Sequence, residues 1–410
     1  MKTDKNQDQS FTNPFKPGAG HMPPHLAGRQ NDKLEFSKLL DQDVILENLI
    51  LTGLRGVGKT VLLETFKPMA IAAGWLWVGT DLAEAVSKSE ENLAIRLLTD
   101  LSVVTSGITQ TVEDQKKTGF RSEESTIVWN YARLLQIYNE TPGLVSDKLK
   151  TVLEVVWSIV IQLGKRGIIF AYDEAQNFAD NADKDEYPLS SLLDVFQSLQ
   201  RKEIRLMLAL TGLPTLLPKL NEARTYSERM FKVIFLDRLE ETETREAITV
   251  PIRRNNCPVS FDDQSIETIA RVSGGYPYFI QFICKEVYDR WIQQHTSAGQ
   301  VTSVPVDEIV RKLDADFFAG RWARVTDRQR DVLRIIAKMP NSEFTPQEIV
   351  NSSKLLLEKP FTSSRVAAIL NALKDVGLVY RNRHGKYRFA VPMFGQFILR
   401  HLDDDPDAVW

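Results

Sequence analysis

The residues Gly53-Leu54-Arg55-Gly56-Val57-Gly58-Lys59-Thr60 fit the pattern G-x-x-x-x-G-K-[S/T], with an apolar run before them and a run of helical spacing after them. Glycines at these positions let a backbone wrap closely around an anion. The amides of Gly53, Gly56, Val57, Gly58 and Val61 would then face phosphate oxygens, with a helix N-terminus adding a positive dipole end. In that chemistry Lys59 reaches the β- and γ-phosphates of a nucleotide and Thr60 holds Mg²⁺.

Three further stretches supply matching groups. In "IIFAYDEAQ" an apolar strand ends in Asp173 and Glu174, at the edge where α/β sheets bind ligands. Asp173 would support Mg²⁺ through water, and Glu174 would polarise an attacking water. In "LMLALTGLP" a buried strand ends at Thr211, whose hydroxyl is placed to touch a γ-phosphate or the water. In "NEARTYSERMFKVIFL" Arg229 stands immediately before a strand, as an arginine finger does, while Arg224 and Arg229 both also fit a solvated helix end.

These groups need a scaffold. Apolar runs at 46–52, 75–80, 167–173, 204–212 and 231–236 read as strands, and the segments 60–72, 90–104, 146–164 and 190–201 carry i, i+3, i+4 apolar spacing. Alternating strands and helices predict an α/β domain over 26–236 with a parallel sheet covered on both faces. Residues 105–145 fit no template and are expected to be a partly helical insertion. From 237 to 324 the strands stop and a small helical domain is predicted. Ser260 with Asp263 fits a capping box there, and Pro277 fits a helix N1 position. Over 325–402 three helix starts, at Thr326, Thr345 and Thr362, are followed by an alternating stretch that turns near His384-Gly385, which predicts a winged helix. A polar tail or strap over 1–25 and an acidic tail over 403–410 complete the chain.

The 410 residues, 43% hydrophobic and 26% charged, suit about two to three globular domains. Two cysteines and five scattered histidines give neither a disulfide framework nor metal-ligand spacing. No apolar run approaches a membrane span and the N-terminus has no signal-peptide core, so a cytoplasmic setting is expected. The net charge of −3 is uneven: between Val325 and Leu402, 13 Lys/Arg face 6 Asp/Glu, a balance of +7 that leaves −10 elsewhere. Arg365 and Lys374 fall on the third helix of that segment and Arg381, Arg383, Lys386 and Arg388 on its wing. A recognition helix and a cationic wing suit double-stranded DNA. Winged helices also serve as protein-docking modules, and the composition alone is compatible with both.

The ordered set resembles the AAA+ P-loop ATPases, most closely the origin-recognition and STAND-like branch whose bacterial members end in a winged helix. The resemblance runs from about Asn13. "NPFKPGAGHMPPHLAGR" looks like the leading segment of that group, which implies Gly28 and Arg29 near the adenine. "SGGYPYFIQ" resembles its Gly-Gly-x-Pro turn, which implies Gly275 and Pro277 near the base and makes 237–324 a lid. The usual sensor-two arginine has no counterpart, although Arg271 is close. That departure implies slow turnover rather than a fast ring motor. The resemblance thus implies a Mg²⁺-dependent ATPase acting as a switch: ATP closes the lid and repositions the winged helix on DNA, with a nucleotide-dependent homo-oligomer in which Arg229 acts from a neighbouring subunit. A signalling or defence switch that docks an unknown protein partner, and a regulator that holds nucleotide without hydrolysing it, are the alternatives.

Overall fold

A computed structural model describes residues 12–79, 81–82, 89–114, 123–178, 180–255, 257, 260–296, 304–383 and 385–403. Most of the expected acidic tail and the turn residue His384 lie outside them. The chain forms two compact units: Asn31–Gly53 with Lys59–Phe235, and Met1–Gln30 with Leu54–Gly58 and Leu236–Trp410.

The first unit is a five-stranded sheet with helices. In chain order it contains α1 (Gln30–Leu40), β1 (Asn48–Gly53), α2 (Lys59–Ala72), β2 (Trp75–Val78), α3 (Glu90–Thr105), the hairpin β3 (Thr109–Asp114) and β4 (Glu123–Val128), α4 (Tyr131–Glu140) and α5 (Val145–Gln162). Then follow β5 (Gly167–Tyr172), α6 (Pro188–Gln200), β6 (Leu206–Gly212), α7 (Leu216–Ala223) and β7 (Phe231–Leu236). The strand order is β2-β5-β6-β1-β7. β1, β5 and β6 are buried at every position, the burial that continuous apolar runs produce in a parallel sheet covered on both faces. Leu51 pairs with Thr211 and Tyr172 with Leu210, so the C-terminal ends of β1, β5 and β6 lie level with one another.

Register at the opposite end of the sheet is held by a buried amide pair. Asn48 and Gln200 exchange hydrogen bonds at 3.3 and 2.9 Å, and Asn48 Oδ1 also accepts from the Leu208 amide at 2.8 Å. The insertion is partly helical, through α4. It carries the antiparallel β3–β4 ladder ahead of α4, closed at its base where Thr105 Oγ1 donates to the Trp129 carbonyl at 2.6 Å.

The second unit holds α8 (Glu241–Arg254), α9 (Asp263–Ser273), α10 (Pro277–Thr296), α11 (Val306–Leu313), a π-helical stretch Asp314–Ala319 and α12 (Gly320–Trp322). It continues with α13 (Asp327–Ala337), α14 (Pro346–Leu356), α15 (Ser363–Asp375), β8 (Val379–Arg383), β9 (Lys386–Phe389) and α16 (Phe394–Asp403). One apolar core runs through it, from Ile248, Ile269 and Phe279 to Phe318, Phe394 and Phe397. Asn13 Nδ2 donates to the Lys285 carbonyl at 3.0 Å and to Asp289 Oδ1 at 2.7 Å, and Phe15 is buried in the same core.

Three of the expected helix starts hold and a fourth moves by two residues. Thr326 with Gln329 and Thr345 with Glu348 form capping boxes, and Thr362 accepts from the Arg365 amide. The cap of α9 is Asp262, whose side chain accepts from Ser265 N, rather than the expected Ser260. A carboxylate directly ahead of the first helical residue takes the orphan N–H groups that a serine two residues further out cannot reach.

Candidate functional site

The central strands β1, β5 and β6 each lead to a polar group at the C-terminal edge of the sheet. After β1 the chain turns into α2, and Lys59 Nζ donates to the Gly53 carbonyl at 3.0 Å. One residue on, Thr60 Oγ1 donates to Asp173 Oδ2 at 2.5 Å. Val61 is half-buried in the first turn of α2, where its carbonyl accepts from Thr65 Oγ1. Asp173 follows β5 and is 5% exposed, and its carbonyl accepts from the Leu82 amide. Burial pushes its carboxyl above the ordinary carboxylate range, against the hydrogen bonds from Thr60 and from the Glu174 amide that favour the charged form.

Glu174 has φ 53, a left-handed conformation that costs a non-glycine residue energy. It persists because the 3-10 turn Ala175–Asn177 is pinned: Lys219 Nζ donates to the carbonyls of Gln176 and Phe178, and Asn177 Nδ2 to that of Leu82. Thr211 on β6 is fully buried, and its hydroxyl, like that of Thr52 on β1, has no hydrogen-bond partner among the described residues. Orphaned buried hydroxyls are uncommon and call for an explanation.

Thr60 and Asp173 offer adjacent hard oxygen donors, which fits a small divalent cation that keeps water and phosphate oxygens as its other ligands. Among the described residues no group of three His, Cys, Asp or Glu forms a self-sufficient metal cage. Arg229 stands exposed at the end of the 3-10 turn Thr225–Arg229. Arg224 is committed elsewhere, donating to both carboxylate oxygens of Asp194 at 2.9 and 2.5 Å, a pairing that holds Asp194 below its ordinary range.

The remaining loop residues belong to the second unit. Gly56 and Gly58 have φ of 81 and 92, the left-handed region that favours glycine. The Gly56 carbonyl accepts from the Tyr278 amide at 3.1 Å. Arg29, 8% exposed, donates through Nη2 to the carbonyls of Val57 and Asp237 at 3.1 and 3.0 Å. It is therefore a brace for the loop backbone. Gly28 has φ 67, and Gly275 has φ 76 with its carbonyl accepting from the Leu239 amide. Pro277 opens α10, the expected N1 position.

At the basic end Arg365, Lys374 and Arg381 are exposed. Lys386 and Arg388 are half-buried and have partners: Lys386 Nζ lies 3.8 Å from Glu343, and Arg388 Nη2 donates to Ser342 Oγ at 3.3 Å. The side chain of Arg383 lies outside the described residues. Phe344 and Tyr387 exchange backbone hydrogen bonds at 3.0 and 2.8 Å, adding a third short partner to the hairpin.

Two residues beside these groups, Gln176 and Gly212, escape a reading of the sequence, since neither belongs to a motif. Only their offsets, two residues beyond Glu174 and one beyond Thr211, give a signal.

Residues 315–398 match the family model of a domain of unknown function, DUF8462. No curated protein matches the chain in sequence. Among solved structures the chain is similar to the Walker-type ATPase of Pyrococcus abyssi, at 17% identity and a TM-score of 0.57 over 91% of this chain and 96% of that one. It is also similar to the Aeropyrum pernix ORC2 protein in ADPNP-ADP complexes, at 12% identity and a TM-score of 0.53 over 95% and 96%. The ADP form of that protein gives 13% and 0.52 over 96% and 98%. The five-stranded sheet and the near-complete coverage of these structures show that this chain has the fold of the AAA+ P-loop ATPases.

Proposed function

We propose that the chain binds ATP with Mg²⁺ at residues 53–60, hydrolyses it slowly, and uses the nucleotide state to reposition a DNA-binding winged helix over 325–402. The observation that carries this is the cluster at the edge of the sheet: Lys59 on the Gly53 carbonyl, Thr60 on Asp173, Glu174 on a pinned turn and the orphaned Thr211 hydroxyl. Aeropyrum pernix ORC2, which shares the fold, holds ADP and ADPNP.

When bound, Mg²⁺ supplies positive charge that offsets the phosphates. The chain's own groups do the rest. Lys59 offers an ammonium, Thr60 a metal-binding hydroxyl and Asp173 a carboxylate for the metal's water. Glu174 holds the attacking water and accepts its proton, and Thr211 gives its hydroxyl to the transferred group or the water. Arg229 supplies a cation from a neighbouring subunit. Gly28, Arg29, Gly275 and Pro277 are assigned to the base on the family resemblance. Lacking a sensor-two arginine, the site has one positive charge fewer to stabilise the transition state, hence slow turnover.

Coupling is supported by the path of the chain, which leaves the sheet unit after Gly53 and returns at Lys59. For the winged helix the exposed Arg365, Lys374 and Arg381 support DNA. Leu355 and Val376, exposed to 86% and 51%, favour the second reading, protein docking. Fluorescence anisotropy with duplex DNA across several salt concentrations separates the two. Replacing Arg365, Lys374 and Arg381 by Ala is expected to flatten the log K against log salt slope by roughly 0.9 for each phosphate no longer neutralised. No duplex affinity at low salt with ATP present, or an unchanged slope, would reject DNA in favour of a protein partner.

A further inference from the structure

Glu174 is exposed, so its backbone is fixed by the pinned turn while its side chain has room to turn. A neighbouring amide restrains it. Gln176 Nε2 donates to Glu174 Oε2, and Gln176 Oε1 accepts from the Leu213 amide at 2.9 Å. The orientation of that side-chain amide is set by its surroundings: a backbone N–H can only donate, so the oxygen faces Leu213, and the NH₂ group faces a carboxylate that can only accept. Gly212 makes the room, since a Cβ there would stand 2.7 Å from Gln176 Oε1. The Lys219 ammonium on the Gln176 carbonyl holds the same residue from α7.

We infer that Gln176 is a positioning residue for ATP hydrolysis, aiming the Glu174 carboxylate and tying it to the strand end that carries Thr211. This rests on the ATPase reading above. Glu174 must meet its water within hydrogen-bond reach and in the right direction, and small misplacements of such a base are costly. Through Gln176, a shift of the Thr211–Leu213 backbone reaches Glu174 without any contact between the two side chains. The residue touches no reacting atom itself.

The variant that isolates this role is Gln176→Glu, which keeps the shape and the acceptor for Leu213 but removes the donor to Glu174. Gly212→Ala is independent of it, displacing Gln176 without changing its chemistry. For parent, Gln176→Glu, Gly212→Ala and Glu174→Gln, phosphate release gives kcat and labelled ATP gives Kd, with melting temperature as the folding control. Both new variants are expected to lose about 10- to 100-fold in kcat with ATP affinity kept. A parental kcat in Gln176→Glu and Gly212→Ala, alongside an inactive Glu174→Gln, overturns this inference and leaves the ATPase reading standing. A fall in ATP affinity matching the fall in kcat also overturns it, by making Gln176 part of the binding scaffold. Parental turnover in Glu174→Gln, or no hydrolysis by any form, overturns both.

Discussion

Asp173 shows how a single residue is poised by opposing effects. Burial favours its neutral form more than Thr60 and the Glu174 amide favour the charged one, so its pKa stands above the ordinary carboxylate value. A group that binds its proton more tightly when folded stabilises the fold at low pH and loses that contribution as pH rises through its folded pKa. At neutral pH, without metal, ionised Asp173 is therefore a local cost. Asp173→Asn is expected to raise the nucleotide-free melting temperature at the high end of the pH range, with the gap closing towards the ordinary carboxylate range. Thermal melts from pH 4 to 8 check this, and a variant less stable at the high end would refute it. At this scale the sequence was most legible where spacing carries chemistry, as in Lys59-Thr60 and Asp173-Glu174. It could not show that Arg224 is engaged elsewhere, because Asp194, which takes Arg224, lies thirty residues upstream. It also could not reveal Gln176, whose role arises only once β5 and β6 lie side by side.

Elements were legible in proportion to how strongly one periodicity held. The central strands are continuous apolar runs and stand within a residue or two of their expected limits. The β3–β4 hairpin was not legible, since "TQTVED" and "EESTIV" are polar and the two strands lie eight residues apart. Glycines test the local geometry most directly. At Gly275 a Cβ would stand 2.6 Å from the Leu239 carbonyl oxygen, and at Gly28 it would meet the Glu243 carboxylate at 2.5 Å. Glu243 also closes the capping box of α8. At Gly58 a Cβ meets nothing within 4 Å, leaving only the conformational cost of φ 92. Denaturant unfolding of the three alanine variants is expected to rank the losses Gly275, then Gly28, then Gly58, with Gly275→Ala costing about 1–3 kcal/mol more than Gly58→Ala. Equal losses would mean that only backbone conformation matters at these turns.

For the whole molecule, the order of segments along the chain suggested modules in series, whereas the fold groups Leu54–Gly58 with the helices that follow Leu236. Such a grouping is invisible in sequence because the partners of these loop residues, Arg29 and Tyr278, lie 28 residues before Val57 and 222 beyond Gly56. The charge asymmetry was legible, but not its division between exposed cations and those already held by Ser342 and Glu343. No helix among the described residues is long and apolar enough to cross a membrane. Everything proposed for this molecule depends on ATP at residues 53–60, and equilibrium titration of labelled ATP with Mg²⁺ tests that most directly. Lys59→Ala removes the ammonium and is expected to weaken binding by about 10- to 100-fold while leaving the melting temperature near that of the parent. Equal affinity in parent and variant, or no saturable binding by the parent, would contradict the account.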